Sequence, residues 1–194
     1  MTEHDAYHAG ARALQDRFDS RRIADRLEQI VMHHVFTDDD RAIVEQASMF
    51  FLATADADGF PDCSYKGGVP GFVRVAGPST LVFPSYDGNG QFRSLGNVAV
   101  NPNVALLFID FERPNRMRVH GTATLHDEPD VVAAFEGAQL VVRVEVSRIF
   151  PNCPRYIHRM HLDEQSVYAP KPGHVPPVPE WKQMDVFKDF LPEQ

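Results

Sequence analysis

Cysteine is scarce in this chain of 194 residues: only Cys63 and Cys153, far apart and in no CxxC pair. They read as reduced thiols in a reducing compartment rather than as a disulfide framework. No stretch approaches the roughly 18 uninterrupted apolar residues of a membrane-spanning helix. The opening MTEHDAYHAG has neither the basic nor the apolar region of a secretory signal, so cytoplasmic residence is the expectation. Positive charge is short as well. Lys plus Arg is 19 against 27 Asp plus Glu, a net charge of −8. A nucleic-acid binder needs a basic footprint, and an anionic membrane surface would repel this balance. A local basic pocket for a small anion stays compatible with it. GxSxG, HExxH, GxxxxGK[ST] and DxDxDG are all missing, which argues against serine hydrolases, zincins, P-loop enzymes and EF-hands.

What is present suits one globular domain, with 43% hydrophobic and 24% charged residues. Residues from about 5 to 47 read as helical. Leu14 and Phe18, then Ile23, Leu27 and Ile30, recur at spacings of three and four, the sign of a helix with one apolar face. Thr37 before Asp38, Asp39 and Asp40 supplies an N-cap and an acidic first turn for a further helix through Ile43 and Val44. These helices are expected to cover a barrel end or a subunit contact. His33-His34 falls at a helix end, where a cation helps the dipole.

From Met49 the period changes to two. Phe50 to Ala55 is a short apolar run, Asp56-Ala57-Asp58-Gly59 a hairpin signal, and Asp62 to Lys66 a second strand ending at Gly67-Gly68. Further strands read over Phe72 to Val75, Thr80 to Phe83, Val104 to Ile109, Arg116 to Leu125 and Leu140 to Val146. In the last, Val142, Val144 and Val146 share one face. Short strands at close spacing, with helices mainly at the ends, predict a mainly β fold with flanking helices: an antiparallel barrel or sandwich. PKPGHVPPVP, residues 170–179, predicts an extended polyproline-like arm. Glu180 to Leu191 then predicts a short helix with Trp181, Met184, Phe187 and Leu191 on one face, docked on a partner subunit. The expected organisation is a helical segment over 1–47, a barrel over 48–150, and a loop, arm and helix over 151–194.

The segment from Phe83 to Leu95 carries the most chemistry. A strand ends, a loop with Gly88 and Gly90 comes next, and a helix begins near Arg93. Such loops let backbone amides approach an anion, and Arg93 can bind a phosphate through two parallel hydrogen bonds. The same pattern also suits a surface turn whose arginine faces water. Arg116, Arg118 and His120 share one face of a strand, with Met117, Val119 and Gly121 on the other. That face is either an anion site or a solvated exterior. Cys153, His158 and His161 form C-x4-H-x2-H, with the histidines at i, i+3 of an expected helix. Too few ligands accompany them for a zinc site, and no metal is expected.

In order and spacing, FFLATADADGFPDCSYKGG, Arg93-Ser94-Leu95 through Asn101-Pro102 to Phe108, and Asn115-Arg116-Met117-Arg118-Val119-His120-Gly121 resemble the flavin-binding split-barrel family that includes pyridoxamine 5′-phosphate oxidase. The resemblance covers about residues 45 to 150. It implies a six-stranded antiparallel split barrel, a homodimer, and FMN in a groove between subunits. By position, Arg93 corresponds to the family's phosphate-binding arginine, and Ser94 stands where the family commonly has lysine. Lys66, with Gly67, corresponds to the end of the second strand, near the phosphate or the ring. Pro84, Ser85 and Tyr86 match the strand end lying along the isoalloxazine, and Asn89 would help hold the ribityl chain and phosphate. Arg116 and Met117 match an Arg-Gln pair at the flavin, so Met117 could serve only through its backbone. Arg118 would line the ring edge. Asn152 and Cys153 lie in a stretch, Phe150 to Ile157, that resembles one reaching the flavin from the neighbouring subunit.

The resemblance implies FMN-dependent oxidation or reduction of an unidentified small molecule, with NAD(P)H as a candidate electron donor. The R-x-H pair and terminal R-L-x-P of the vitamin B6 oxidases are missing, so pyridoxamine phosphate is not the expected substrate. A non-catalytic protein that stores or senses flavin or haem, and a deazaflavin in place of FMN, are the alternatives with the same fold.

Overall fold

Asp56 turns the chain between the first two strands. Its Oδ1 accepts hydrogen bonds from the N–H of Asp58 at 3.0 Å and of Phe60 at 2.9 Å. Gly59 completes the turn at φ 87°, a conformation that favours glycine. In the computed structural model, which describes residues 6–192, this hairpin joins β1 (Met49–Ala55) to β2 (Pro61–Gly67). The remaining strands are β3 (Arg74–Gly77), β4 (Thr80–Tyr86), β5 (Asn103–Asp110), β6 (Asn115–His126) and β7 (Ala138–Pro151). All pair antiparallel in one sheet of seven strands, in the order β2-β1-β5-β6-β7-β4-β3. The family resemblance implies six strands; the seventh is the four-residue β3, paired only with β4, at the place where the sequence reads a strand over Phe72 to Val75.

The sheet rolls up on itself. β1 is second in the order and β4 sixth, so four strand steps of about 4.8 Å would hold them about 19 Å apart in a flat sheet. Yet the rings of Phe50 (β1) and Phe83 (β4) lie 5.0 Å apart, edge to face. Phe108 from β5 lies against Phe50 at 5.2 Å. Alternation fills the interior. Leu52, Leu106, Met117, Val119, Val142 and Val144 are all buried, and most of their sequence neighbours face outward. One register shift interrupts the β6–β7 pairing, between His120 and Gly121. There the strands come so close that a Cβ on Gly121 would stand 2.3 Å from the Glu145 carbonyl oxygen.

Three helices precede the sheet: α1 (Ala9–Arg17), α2 (Arg21–Val31) and α3 (Asp38–Gln46). The Thr37 cap forms as expected, as a reciprocal box: Asp40 N–H donates to Thr37 Oγ1 at 3.2 Å and Thr37 N–H to Asp40 Oδ2 at 2.8 Å. α3 closes one end of the barrel through the fully buried Val44. It also holds the sheet margin. Val75 N–H donates to Glu45 Oε1 at 3.3 Å, and Arg41 Nη1 donates to the Val75 carbonyl at 2.8 Å. α1 and α2 differ from the expectation of a barrel cover: neither buries a residue, and Leu14, Phe18, Ile23, Leu27 and Ile30 all stand exposed. α2 ends before the histidines. His33 instead exchanges backbone hydrogen bonds with Ile149 of β7, and its Nε2 lies 2.7 Å from Asp40 Oδ2.

Two later helices, α4 (Arg93–Val100) and α5 (Pro129–Val132), interrupt the strands. Beyond β7 the expected helix around His158 and His161 does not form. That stretch has turns only, so the i, i+3 relation between the histidines lapses. Residues 170–179 contain neither helix nor strand, in keeping with their prolines. The expected helix over Glu180 to Leu191 is replaced by two 3-10 turns, Glu180–Gln183 and Lys188–Phe190, with Met184 extended between them. A twelve-residue segment between prolines is short for an independent α-helix, and this one runs along the surface of its own barrel. Positions 1–5 and 193–194 of the terminal segments lie outside the described residues. No helix among the described residues is long and apolar enough to cross a membrane.

Candidate functional site

Period-two alternation turns Asp62, Ser64 and Lys66 of β2 to one side, and that side borders a cleft of about 910 Å³. Across it stand the end of β4 with Ser85 and Tyr86, the loop from Asp87 to Phe92, and the first turn of α4. Phe92 takes the left-handed conformation, φ 47°, uncommon for a residue with a side chain. It turns the chain so that α4 starts at Arg93 with no side-chain cap. Ser94 and Leu95 are buried anchors. Two amides lock the helix down: Asn97 Nδ2 donates to Thr54 Oγ1 at 3.0 Å and Asn101 Nδ2 to the Asp56 carbonyl at 3.3 Å.

Lys66 Nζ donates to Ser94 Oγ at 3.1 Å, which joins β2 to α4. Burial holds this lysine below its ordinary pKa, with the Asp62 carboxylate only partly opposing. It is a half-buried cation that a bound anion would stabilise. Arg93 lies at the surface of the same cleft, and among the described residues no carboxylate pairs with it. Ser64 Oγ is buried without a hydrogen-bond partner. Such an orphan costs stability unless a ligand or water satisfies it. Burial raises the Tyr86 phenol, which keeps it protonated and a donor. Two cations, hydroxyls and a glycine loop at one place make an anion site suited to a phosphomonoester. Tyr65, Tyr86, Phe92, Trp181, Phe187 and Phe190 add aromatic surface for a flat ligand body.

Of the residues expected at the site, Lys66, Ser85, Tyr86, Asn89, Arg93 and Ser94 line this cleft. Gly67 and Pro84 do not. Gly67 ends β2 against the Tyr65 ring, and Pro84 is buried in β4 opposite Val141. Arg116, Met117, Arg118, Asn152 and Cys153 are not among its walls either. The Met117 side chain is buried in the barrel core, which leaves only its backbone for a ligand. Ser64, Tyr65, Asp87, Gln139 and the C-terminal strap, residues 180–192, lie outside the sequence expectation. Alternation about Lys66 could have revealed Ser64. The strap carries no signal of its destination.

The other expected group forms a second cationic patch on the outer face of β6 and β7. Arg116, Arg118 and His120 alternate along β6, and Arg148 stands opposite His120. Arg118 donates to Asn152 Oδ1. The His120 ring meets Phe150 edge to face at 5.1 Å. Burial, then the positive charges of Arg148 and Arg118, lower the His120 pKa and favour the neutral ring. Arg116 Nε is buried without a partner among the described residues. An acceptor from outside this chain would satisfy it. Cys63 and Cys153 are free and exposed. Among the described residues no group of three or more His, Cys, Asp or Glu could hold a metal.

Among curated proteins none matches. Solved structures give partial likenesses. HupZ of Group A Streptococcus is 24% identical, with 60% of this chain and 93% of that one covered at a TM-score of 0.49. An FMN-binding protein from Syntrophomonas wolfei is 12% identical over 73% of this chain and 97% of that one, TM-score 0.44. HutZ, the haem storage protein from Vibrio cholerae, is 17% identical over 58% and 91%, TM-score 0.43. The family model described as pyridoxamine 5′-phosphate oxidase matches residues 36–153, more than half of the chain and all seven strands. The chain therefore belongs to the pyridoxamine 5′-phosphate oxidase family.

Proposed function

We propose that the cleft binds FMN and that the protein is an FMN-dependent oxidoreductase acting on a small molecule as a homodimer. The observation that carries this reading is the meeting of Lys66, Ser94 and Arg93 at one end of the cleft. A flavin phosphate brings about −1.5 to −2 charges, which an acidic protein must meet with local cations. The residues fit the group. Lys66 is a half-buried cation, and the orphan Ser64 Oγ is an unmet polar atom in the same wall.

In this reading Lys66, Arg93 and Ser94 hold the phosphate, Ser85 and Asn89 the ribityl chain, and Tyr86 borders the ring. Arg116, Arg118, Asn152 and Cys153 would come from a second copy, since they do not line this chain's own cleft. The flavin would supply the hydride or electron transfer, with NAD(P)H as the candidate donor. The protein's part is to orient the ring, exclude water and place donors at its edge. Haem finds less support: among the described residues no His, Cys or Met lines the cleft, and Tyr86 is held as phenol rather than phenolate.

The purified protein should carry a flavin absorption spectrum and sediment at twice the 21.9 kDa of one chain. Arg93→Ala should weaken FMN binding by about 1.5–3 kcal/mol, as expected for a hydrogen bond to a charged group. A lone Soret band, or FMN affinity unchanged in that variant, would refute the assignment.

A further inference from the structure

Residues 180–192 of the C-terminal strap form one wall of the cleft through Trp181, Lys182, Phe187, Phe190, Leu191 and Pro192. Lys182 Nζ donates to Asp87 Oδ2 at 2.5 Å. Asp87 opens the loop whose far end is Arg93, so the strap brings a lysine to the segment that carries the candidate phosphate ligand. The Lys182 side chain is only 21% exposed, whereas that of Asp87 is 57% exposed. The ammonium is thus drawn into the cleft wall, while its carboxylate partner remains largely in water.

We propose that Lys182 is a third phosphate-binding cation of the cleft, delivered by the strap and held in place by Asp87. This rests on the cleft being the FMN site. The charge balance favours it. Without the strap, the two cations of the cleft wall, Lys66 and Arg93, are equalled in number by its two carboxylates, Asp62 and Asp87. With Lys182 the cleft has a net positive charge before the ligand arrives. The competing reading makes Lys182 and Asp87 a mechanical latch that only fastens the strap, and the two predict different outcomes.

Trp181 is the only tryptophan of the chain and stands beside Lys182 in the cleft wall. Quenching of its emission reports ligand binding without any assay of activity. FMN and riboflavin, which lacks the phosphate, are titrated into the apoprotein of the wild type, Lys182→Gln and Asp87→Asn. A phosphate ligand predicts that Lys182→Gln weakens FMN by about tenfold and riboflavin by less than about twofold. Asp87→Asn should then weaken FMN less than Lys182→Gln does, since the amide oxygen can still accept from Lys182 while a competing carboxylate is gone. Equal losses for both ligands in both variants would identify a latch and overturn the proposal. So would wild-type FMN affinity in Lys182→Gln. If Arg93→Ala still shows its loss in those cases, Lys182 alone has been misassigned. If Arg93→Ala shows none, the FMN site itself is wrong.

Discussion

Phe50 and Phe18 both fall on apolar stripes that the sequence makes plain, and they end in opposite environments. Phe50 on β1 is fully buried among Phe72, Phe83 and Phe108; Phe18, just past α1, is 71% exposed. The barrel interior is closed by the sheet's own curvature, so inward residues find neighbours from several strands. The α1–α2 pair is tied to the barrel at His33, which bonds to Ile149 just past the end of α2. Its stripe of Leu14, Phe18, Ile23, Leu27 and Ile30 is left uncovered in the single chain. Periodicity identifies which face is apolar. Whether anything lies on that face is decided by topology.

Phe50→Ala gives the largest test of this contrast. Loss of a buried phenylalanine from a closed core should cost about 3–5 kcal/mol in denaturant unfolding. A cost near zero would mean the barrel interior is not packed as the aromatic contacts indicate. Thr37→Ala probes the joint between the two regions, because the Thr37–Asp40 box starts the helix that carries Val44 into the core. It should cost about 1 kcal/mol. The smallest effect belongs to the exposed stripe. Leu27→Ser combined with Ile30→Ser should change stability by no more than about 0.5 kcal/mol per site, as for other surface positions. A loss several times larger would show that the stripe is covered in solution and would erase the contrast.

The strands are legible in the sequence because alternation and turn chemistry agree. Asp56 to Gly59 forms the hairpin it signals, and Val142, Val144 and Val146 all face the core. The Thr37 cap is readable from its own residue and the three aspartates after it. The site is half legible. Lys66 and Arg93 can be marked as cations at strand and helix ends, but their meeting at Ser94 depends on how β2 and α4 are brought together. Arg116, Arg118 and His120 fall on one face as alternation requires, and nothing local could show that this face lies apart from the cleft. The strap is the main departure. Its apolar spacing fits a helix, but prolines bracket it and the surface beneath it offers contacts that a helix would forfeit.

The attachment of α3 to β3 has a consequence for how this protein meets copies of itself. A strand at the margin of a sheet normally leaves donors and acceptors free, ready to template pairing by any passing chain. On β3, a strand only four residues long, Glu45 and Arg41 already satisfy the outward N–H and C=O of Val75. The opposite margin, β2, begins with Pro61, which has no N–H to offer. The β3 border is thus a poor recruit for edge-to-edge aggregation, and the β2 border withholds a donor at its first residue.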